Sequence, residues 1–214
     1  MKKSILTLAV VALAFVSCKE EKKKTEEAKK EVKEVVKKEV ENKGNVDTAN
    51  STVLWKGFKP TGSHNGSVGL KSGNIVVENG NVKSGEFTID MSSIKVLDIP
   101  ADKPGNADLV GHLTSADFFD VAKFPTAKFV VTSSEAKEGK VMVTGDLTIK
   151  GITKSVTIPA TVSEVGGVVN FNSDVFKINR ADFNIKYKSK SFFDNLKDKF
   201  INDEVEMSFS VMAK

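Results

Sequence analysis

The stretch VMVTGDLTIKGITKSVTIPATV, residues 141–162, contains two runs in which apolar and polar side chains alternate. A period of two is typical of antiparallel strands that bury one face and leave the other in water. The same alternation recurs in residues 87–91 and 205–211. Turn-forming dipeptides separate such runs at Asn79-Gly80, Glu138-Gly139 and Gly166-Gly167. Residues 51–214 therefore predict an all-β domain of about eight antiparallel strands.

Two segments of this domain lack the alternation, residues 107–121 and residues 191–200. Each carries a pair of Phe residues among polar ones, Phe118-Phe119 and Phe192-Phe193, and each predicts a short helix that caps the strands. About eight antiparallel strands without a disulfide form either a sandwich or a closed barrel. A barrel of that size is filled by its own side chains or holds one small ligand, and alternation does not distinguish the two interiors.

The N-terminus reads as an export signal of residues 1–17. Lys2 and Lys3 precede a mostly apolar run, residues 5–16, that is too short to span a bilayer. Residues 15–18, Phe-Val-Ser-Cys, resemble a bacterial lipobox, in which the cysteine carries diacylglycerol; Phe15 stands where Leu is usual. Cys18 is the only cysteine, so it has no internal disulfide partner, and we expect it to be lipidated. An ordinary secretory signal is the alternative.

Residues 18–50 predict a charged tether behind that cysteine. Residues 19–43 contain ten Lys and eight Glu, with several Glu four positions before a Lys, a spacing that favours a helix. Too few apolar residues are present for a core, so we expect a solvated, partly helical segment. A weak coiled coil, which would make the protein a homodimer, is the alternative. Residues 45–50 predict a polar hinge.

The folded domain has no excess charge that would attract nucleic acid. Residues 44–214 contain 20 basic and 20 acidic residues, a balance of zero. Nucleic-acid binding depends on neutralising phosphates, so the neutral domain argues against such a partner.

Several stretches, in order along residues 51–214, resemble the YceI family of exported bacterial proteins. The matching segments are Trp55-Lys56-Gly57, SHNGSVGLKSG (63–73), GEFTIDMSSIKVLD (85–98), GHLTSADFFDVAKFPTAKF (111–129), VTGDLTIKGITKSVTIP (143–159) and NRADFNIKY (179–187). One position differs from the family pattern: Asn184 stands where the family often has Gly.

The resemblance implies an eight-stranded, lipocalin-like antiparallel barrel with an elongated apolar cavity. Its ligand would be a polyisoprenoid chain or an isoprenoid quinone, bound, transported or stored without enzymatic activity and without a cofactor. We expect the apolar strand faces to line the cavity, with Phe87, Ile89, Leu147, Ile149 and Phe209 as ligand-binding residues. A packed interior, making the domain a structural or adhesive module, and an enzyme acting on a lipid are the alternatives.

His64 and His112 are the only histidines. The domain has no G-x-S-x-G elbow and no cysteine nucleophile, and it lacks the HExxH and CxxC metal motifs. We therefore expect neither a catalytic site nor a metal site. Each histidine either satisfies buried polar groups or lies at the pocket mouth near a ligand head group.

Three further residues are candidates for the site. Phe118 and Phe119 predict either a core plug or a lid whose rings contact the ligand chain. Arg180 is the only arginine, and its planar fork of donors suits a carboxylate or a phosphate. It predicts a bidentate pair with Asp182 or Asp90, or a contact to a polar head group.

The expected location follows from the lipidated cysteine. An outer-membrane lipoprotein facing the periplasm is the default, with the membrane as a partner through Cys18. Lys19-Glu20-Glu21 resembles a short acidic signal for export to the cell surface, which is the alternative.

Overall fold

The computed structural model describes residues 42–214, so the predicted signal, Cys18 and most of the tether lie outside the described residues. The described chain forms ten strands, one α-helix and one 3-10 helix. Their bounds are β1 (Asn42–Asn45), β2 (Thr52–Lys59), β3 (Gly62–Glu78), β4 (Asn81–Val96), α1 (Pro104–Thr114), β5 (Thr126–Lys137), β6 (Lys140–Ile149), β7 (Ile152–Val165), β8 (Val168–Ser173), β9 (Phe176–Asn179), η1 (Arg180–Phe183) and β10 (Glu204–Ala213).

The strands close into a barrel with eight positions around the ring. The order is β3-β2-β10-β8-β7-β6-β5-β4, and β4 pairs back with β3, so the sheet has no break. Every pairing is antiparallel, which confirms the predicted eight-stranded antiparallel barrel. Ten strands fill eight positions because two positions are each occupied by two strands. β1 and β2 pair with successive parts of the same edge of β3, and β9 and β8 pair with successive parts of β10.

The sheet begins earlier than residue 51, where the sequence predicts the domain to start. β1 pairs with residues 74–77 of β3, and Val46 forms a bridge to Ala213. Asn45 and Lys214 exchange both backbone hydrogen bonds, at 2.7 and 2.9 Å. The predicted hinge at residues 45–50 and the end of the predicted helical tether, at Lys43, therefore include residues of the sheet. These polar residues pair through their backbone, which leaves no apolar alternation to detect.

All three predicted hairpin turns are confirmed, and each places two residues in the left-handed region. Asn79 and Gly80 have φ of 52° and 75°, and Glu138 and Gly139 have 52° and 78°. Lys150-Gly151 makes a fourth such turn, between β6 and β7. Asn184, where the family often has Gly, keeps φ at 58° and ends the 3-10 helix. Asn tolerates this conformation better than most residues.

The two segments without alternation are the long connections at one end of the barrel. The first contains α1, which ends at Thr114; Phe118 and Phe119 therefore lie in the turns after the helix, not on it. The second, residues 191–200, contains no helix, and the predicted second capping helix is wrong. Asn195 and Lys197 have positive φ there, so the chain follows irregular turns.

The interior differs between the two ends of the barrel. At the end with the Asn79-Gly80, Glu138-Gly139 and Gly166-Gly167 hairpins, four side chains are almost fully buried and pack in one cluster that closes the interior: Ile75, Val82, Val143 and Val169. At the other end, a second cluster includes Leu113 of α1 and Phe118 from the long connections. We call the first end the turn end and the second the loop end.

Candidate functional site

A cavity of about 580 Å³ lies inside the barrel. Volumes of about 300–1,000 Å³ are usual for pockets that enclose one small ligand. Its walls are mostly apolar and come from all nine strands from β2 to β10, as well as from both long connections. Deep in the barrel its wall includes Phe171, Phe209 and Val211, whereas Ile75, Val82 and Val143 beyond them do not line it. The cavity therefore ends against the packed turn end.

The structure brings all ten predicted ligand-binding residues to this one cavity. They are Phe87, Ile89, Phe118, Phe119, Leu147, Ile149, Phe209, His64, His112 and Arg180. That their side chains contact a ligand stays a prediction. The sequence analysis missed several other wall residues, among them Phe129, Phe171 and Phe176. Phe129 and Phe171 also face inward in strand alternation, so the period of two is the signal that marks them.

Phe118 is both part of the core and part of the cavity wall. Its side chain is buried and its ring meets that of Phe119 edge-on at 5.1 Å between centroids. The Lys150 ammonium donates to its carbonyl oxygen at 2.8 Å. Burial lowers the pKa of Lys150, against the opposing charges of Asp120 and Asp117. Phe118 thus belongs to the core, as the plug prediction requires, and lines the cavity with Phe119; that their rings contact a ligand, as the lid prediction requires, stays a prediction.

The buried Arg180 side chain holds the second long connection, residues 184–203, in place, and we call this set of contacts the clasp. Its Nε, Nη1 and Nη2 donate to the carbonyls of Asn202, Ile185 and Ile201 at 3.0, 2.9 and 2.9 Å. Its carboxylate partner is Asp203, with Nη2 and Oδ1 3.1 Å apart in an ion pair that lacks hydrogen-bond geometry.

The predicted pairing of Arg180 with Asp182 or Asp90 is therefore wrong. Sequence distance gave no indication of Asp203, which is brought close because β9 pairs with the start of β10. Burial lowers the pKa of Arg180, and Asp203 opposes the shift. The guanidinium also lies 5.6 Å from the centroid of the Phe118 ring, so the clasp contacts the cavity wall.

His64 lies at the loop end in a polar trio with Asp98 and Lys59. Its Nδ1 lies 2.8 Å from Asp98 Oδ2, and its Nε2 lies 3.3 Å from the Lys59 ammonium. Because an ammonium only donates, this geometry fits a neutral ring with its proton on Nδ1. Burial raises the pKa of Asp98, but the Asn65 N–H and His64 outweigh it, and the net shift is downward.

His112 has a different environment. Its ring meets those of Tyr187 and Phe118 edge-on, at 4.4 and 5.7 Å between centroids. Its buried Nε2 has no hydrogen-bond partner among the described residues, and neither has the buried Nε1 of Trp55. The partners of the two histidines share no residue, so they do not form one polar cluster.

The rim of the cavity at the loop end is polar and rich in lysine. Lys59 and Thr61 come from the β2–β3 turn, and Lys188, Asp198 and Lys199 from residues 184–203. The Asn202 N–H donates to the Phe58 carbonyl at 2.9 Å, which fastens the two segments together. The site thus combines an apolar interior with a charged opening.

Residues 42–214 contain no cluster of three or more His, Cys, Asp or Glu that could hold a metal ion. Within the same range, no helix is long and apolar enough to cross a membrane.

Curated relatives share part of this chain. A UPF0312 protein of Pseudomonas putida is 36% identical over 95 residues, which is 44% of this chain and 46% of the relative. A UPF0312 protein of Shewanella denitrificans is 41% identical over 98 residues, or 42% and 51% of the two chains. The chain thus spans about half the length of the curated relatives it matches.

Solved structures share the fold over most of their length. BcnA of Burkholderia cenocepacia superposes with a TM-score of 0.58 at 26% identity, covering 79% of this chain and 99% of BcnA. A polyisoprenoid binding domain from Saccharophagus degradans, implicated in plant cell wall breakdown, gives 0.57 at 13% identity, with 81% and 98% coverage. In both cases the matching fold makes up nearly the whole of the solved chain. The model of the YceI-like domain matches residues 45–213, and the chain therefore belongs to the YceI-like domain family.

Proposed function

We propose that the barrel binds a long apolar lipid, a polyisoprenoid or an isoprenoid quinone, and sequesters or carries it. The observation that carries this proposal is the apolar cavity of about 580 Å³, closed at the turn end and bordered by charge at the loop end. The name of the Saccharophagus domain supports the ligand class. A cavity of this size counts against the packed structural module.

Burial of hydrocarbon supplies the affinity. Each CH₂ removed from water contributes about 0.8 kcal/mol, so a five-carbon isoprene unit contributes about 4 kcal/mol before entropic costs. Two or three such units are sufficient for tight binding without any dominant polar contact. In this proposal the protein binds its ligand without transforming it, and His64 is engaged by Asp98 and Lys59.

The first experiment is mass spectrometry of an organic extract from residues 41–214, exported and purified without detergent. These residues form a compact unit, and the solved relatives show that the barrel exists alone. A stoichiometric isoprenoid or quinone supports the proposal. An empty extract, with no uptake of added isoprenoid, contradicts the proposal and favours the alternative of a structural module with a packed interior.

A matched pair of variants ties the lipid to the cavity. Leu147→Trp places a larger side chain in the cavity wall, whereas Asp146→Trp places the same side chain on the exposed face of the same strand. We expect Leu147→Trp to reduce the bound lipid at least tenfold and Asp146→Trp to leave it unchanged. Equal lipid in both variants would place the ligand elsewhere.

We also propose that lipidation of Cys18 attaches the barrel to the outer membrane. The support is the sequence of residues 1–18 alone. Cys18→Ser should release the protein from the membrane fraction, and protease treatment of intact cells should distinguish the periplasmic side from the cell surface.

A further inference from the structure

The connection from η1 to β10, residues 184–203, exposes two adjacent aromatic side chains. We call it the mouth loop. Phe192 and Phe193 are 42% and 49% exposed, and no other Phe in residues 42–214 belongs to the exposed class. Exposing one large apolar side chain is ordinary, but exposing two neighbours at a site's edge indicates a contact surface.

The mouth loop is also basic, within a domain whose charges balance. It contains Lys186, Lys188, Lys190, Lys197 and Lys199. Against these five stand Asp194 and Asp198, because Asp203 is already paired with Arg180. The net charge of residues 184–203 is therefore +2, five minus three, or +3 when Asp203 is counted with its partner Arg180 outside the loop. The Lys186 ammonium lies 5.0 Å from the centroid of the Phe192 ring, so charge and aromatic surface are contiguous.

The same loop forms part of the cavity rim. Lys188, Lys199 and Phe200 line the opening, and Arg180 fixes the loop to the barrel through three carbonyls. The exposed Phe pair therefore belongs to a loop that also lines the cavity opening, and Arg180 holds that loop in place.

We propose that the mouth loop docks on the surface of an anionic phospholipid bilayer and sets the cavity opening against the lipid. Phe192 and Phe193 enter the boundary between head groups and acyl chains, and the lysines pair with lipid phosphates. Aromatic insertion and basic charge act together, since either alone gives only weak attachment. This proposal rests on the proposed function, because a lipid carrier must meet its ligand where the ligand dissolves.

Vesicle flotation of residues 41–214 tests the docking, because it leaves out the charged tether and Cys18. The probes are vesicles of phosphatidylglycerol with phosphatidylethanolamine, and vesicles of phosphatidylcholine. We expect binding to the anionic vesicles that weakens with salt. Phe192→Ser with Phe193→Ser, and separately Lys186→Gln with Lys197→Gln, should each weaken it roughly tenfold or more.

Matched controls exist away from the loop. Val165 is 72% exposed at the β7–β8 hairpin of the turn end, so Val165→Ser removes an exposed apolar residue far from the opening. Lys71→Gln with Lys137→Gln removes two exposed charges outside the loop. Both controls should float like the unchanged protein, and all variants should melt at the same temperature.

The outcomes separate this proposal from the proposed function. Bound lipid in the extract, together with mouth-loop variants that float like the controls, overturns the docking and leaves the carrier standing. An empty extract with loop-dependent flotation contradicts the carrier and retains the docking. Equal binding to both vesicle types, or a dimer in solution that Phe192→Ser with Phe193→Ser dissolves, assigns the loop to another partner and overturns the proposal.

Discussion

Replacing Arg180 should destabilise the whole barrel, because its guanidinium holds the mouth loop from within. Arg180 is 1% exposed and donates to three carbonyls at 2.9–3.0 Å. Arg180→Met keeps much of the volume but leaves these carbonyls without their donor and Asp203 without its counter-charge. A hydrogen bond to a charged group contributes about 1.5–3 kcal/mol, and breaking a buried pair costs about 3–5 kcal/mol.

We therefore expect Arg180→Met to lower the free energy of unfolding by about 3–5 kcal/mol, a large share of the roughly 5–15 kcal/mol usual for a domain. Arg180→Lys retains the charge but has one nitrogen for three carbonyls, so it should fall between Met and the unchanged protein. Asp203→Asn should restore part of the loss when combined with Arg180→Met, because it removes the unpaired charge.

Urea titration of residues 41–214 measures these differences. Trp55 is the only tryptophan, so its fluorescence reports unfolding without added labels. Lys177→Met is the control, since Lys177 pairs with Glu204 on the exposed surface of the neighbouring strand, and it should change nothing measurable. A loss below about 1 kcal/mol for Arg180→Met would refute the clasp.

Three other changes, two argued from the structure and one from the sequence, have specific expected outcomes. Gly66→Ala places a Cβ 1.8 Å from the Lys95 carbonyl and 2.4 Å from the Trp55 ring, so we expect a loss of about 3 kcal/mol or more by urea titration; Gly57→Ala meets nothing within 4 Å and should be neutral. The pKa of Asp98 is held below its usual 3.8, so its contribution is complete above pH 3.8 and disappears as the pH falls through the lowered value. Asp98→Asn should therefore cost stability at pH 6 and little once the pH is below that lowered pKa, and a difference independent of pH would contradict the assignment. Cys18→Ser should abolish the diacylglycerol mass that we expect on the N-terminal peptide. If the variant peptide keeps the same added mass as the unchanged protein, lipidation of Cys18 is contradicted.

The sequence predicts the barrel well because its strands and turns are local features. The alternation from Val141 to Ile149 follows from one buried face, and dipeptides such as Glu138-Gly139 require the left-handed backbone that only a few residues tolerate. Ring closure needs the pairing of β10 with β2 and with β8, which no local pattern specifies; the family resemblance supplied it.

The mouth loop shows why the rest could not be predicted. The Arg180 side chain donates to the Ile201 carbonyl of this loop, and the Asn202 N–H donates to the carbonyl of Phe58, which is far away in sequence. These backbone groups are therefore hydrogen-bonded without a helix or a strand. The polar composition of residues 191–200 is compatible with a short helix, but the structure has only turns there, and tertiary contacts hold the chain on both sides of them, at Ile185 and at residues 201–202. Similarly, the apolar residues that line the cavity and those that pack beyond it, such as Phe209 and Val143, share one pattern, because both face inward.

The packed turn end has a kinetic consequence. Because the cavity ends against the packed turn end, a chain bound as proposed would withdraw toward the loop end, by which it entered, and no incoming molecule could displace it from behind. Exchange between two ligands is then sequential: the rate equals the rate of emptying and does not rise with the concentration of the newcomer. The two ends of the proposed ligand would also be inequivalent, since the tail would enter first and the head group would remain beside Lys59 and Lys188, which line the cavity.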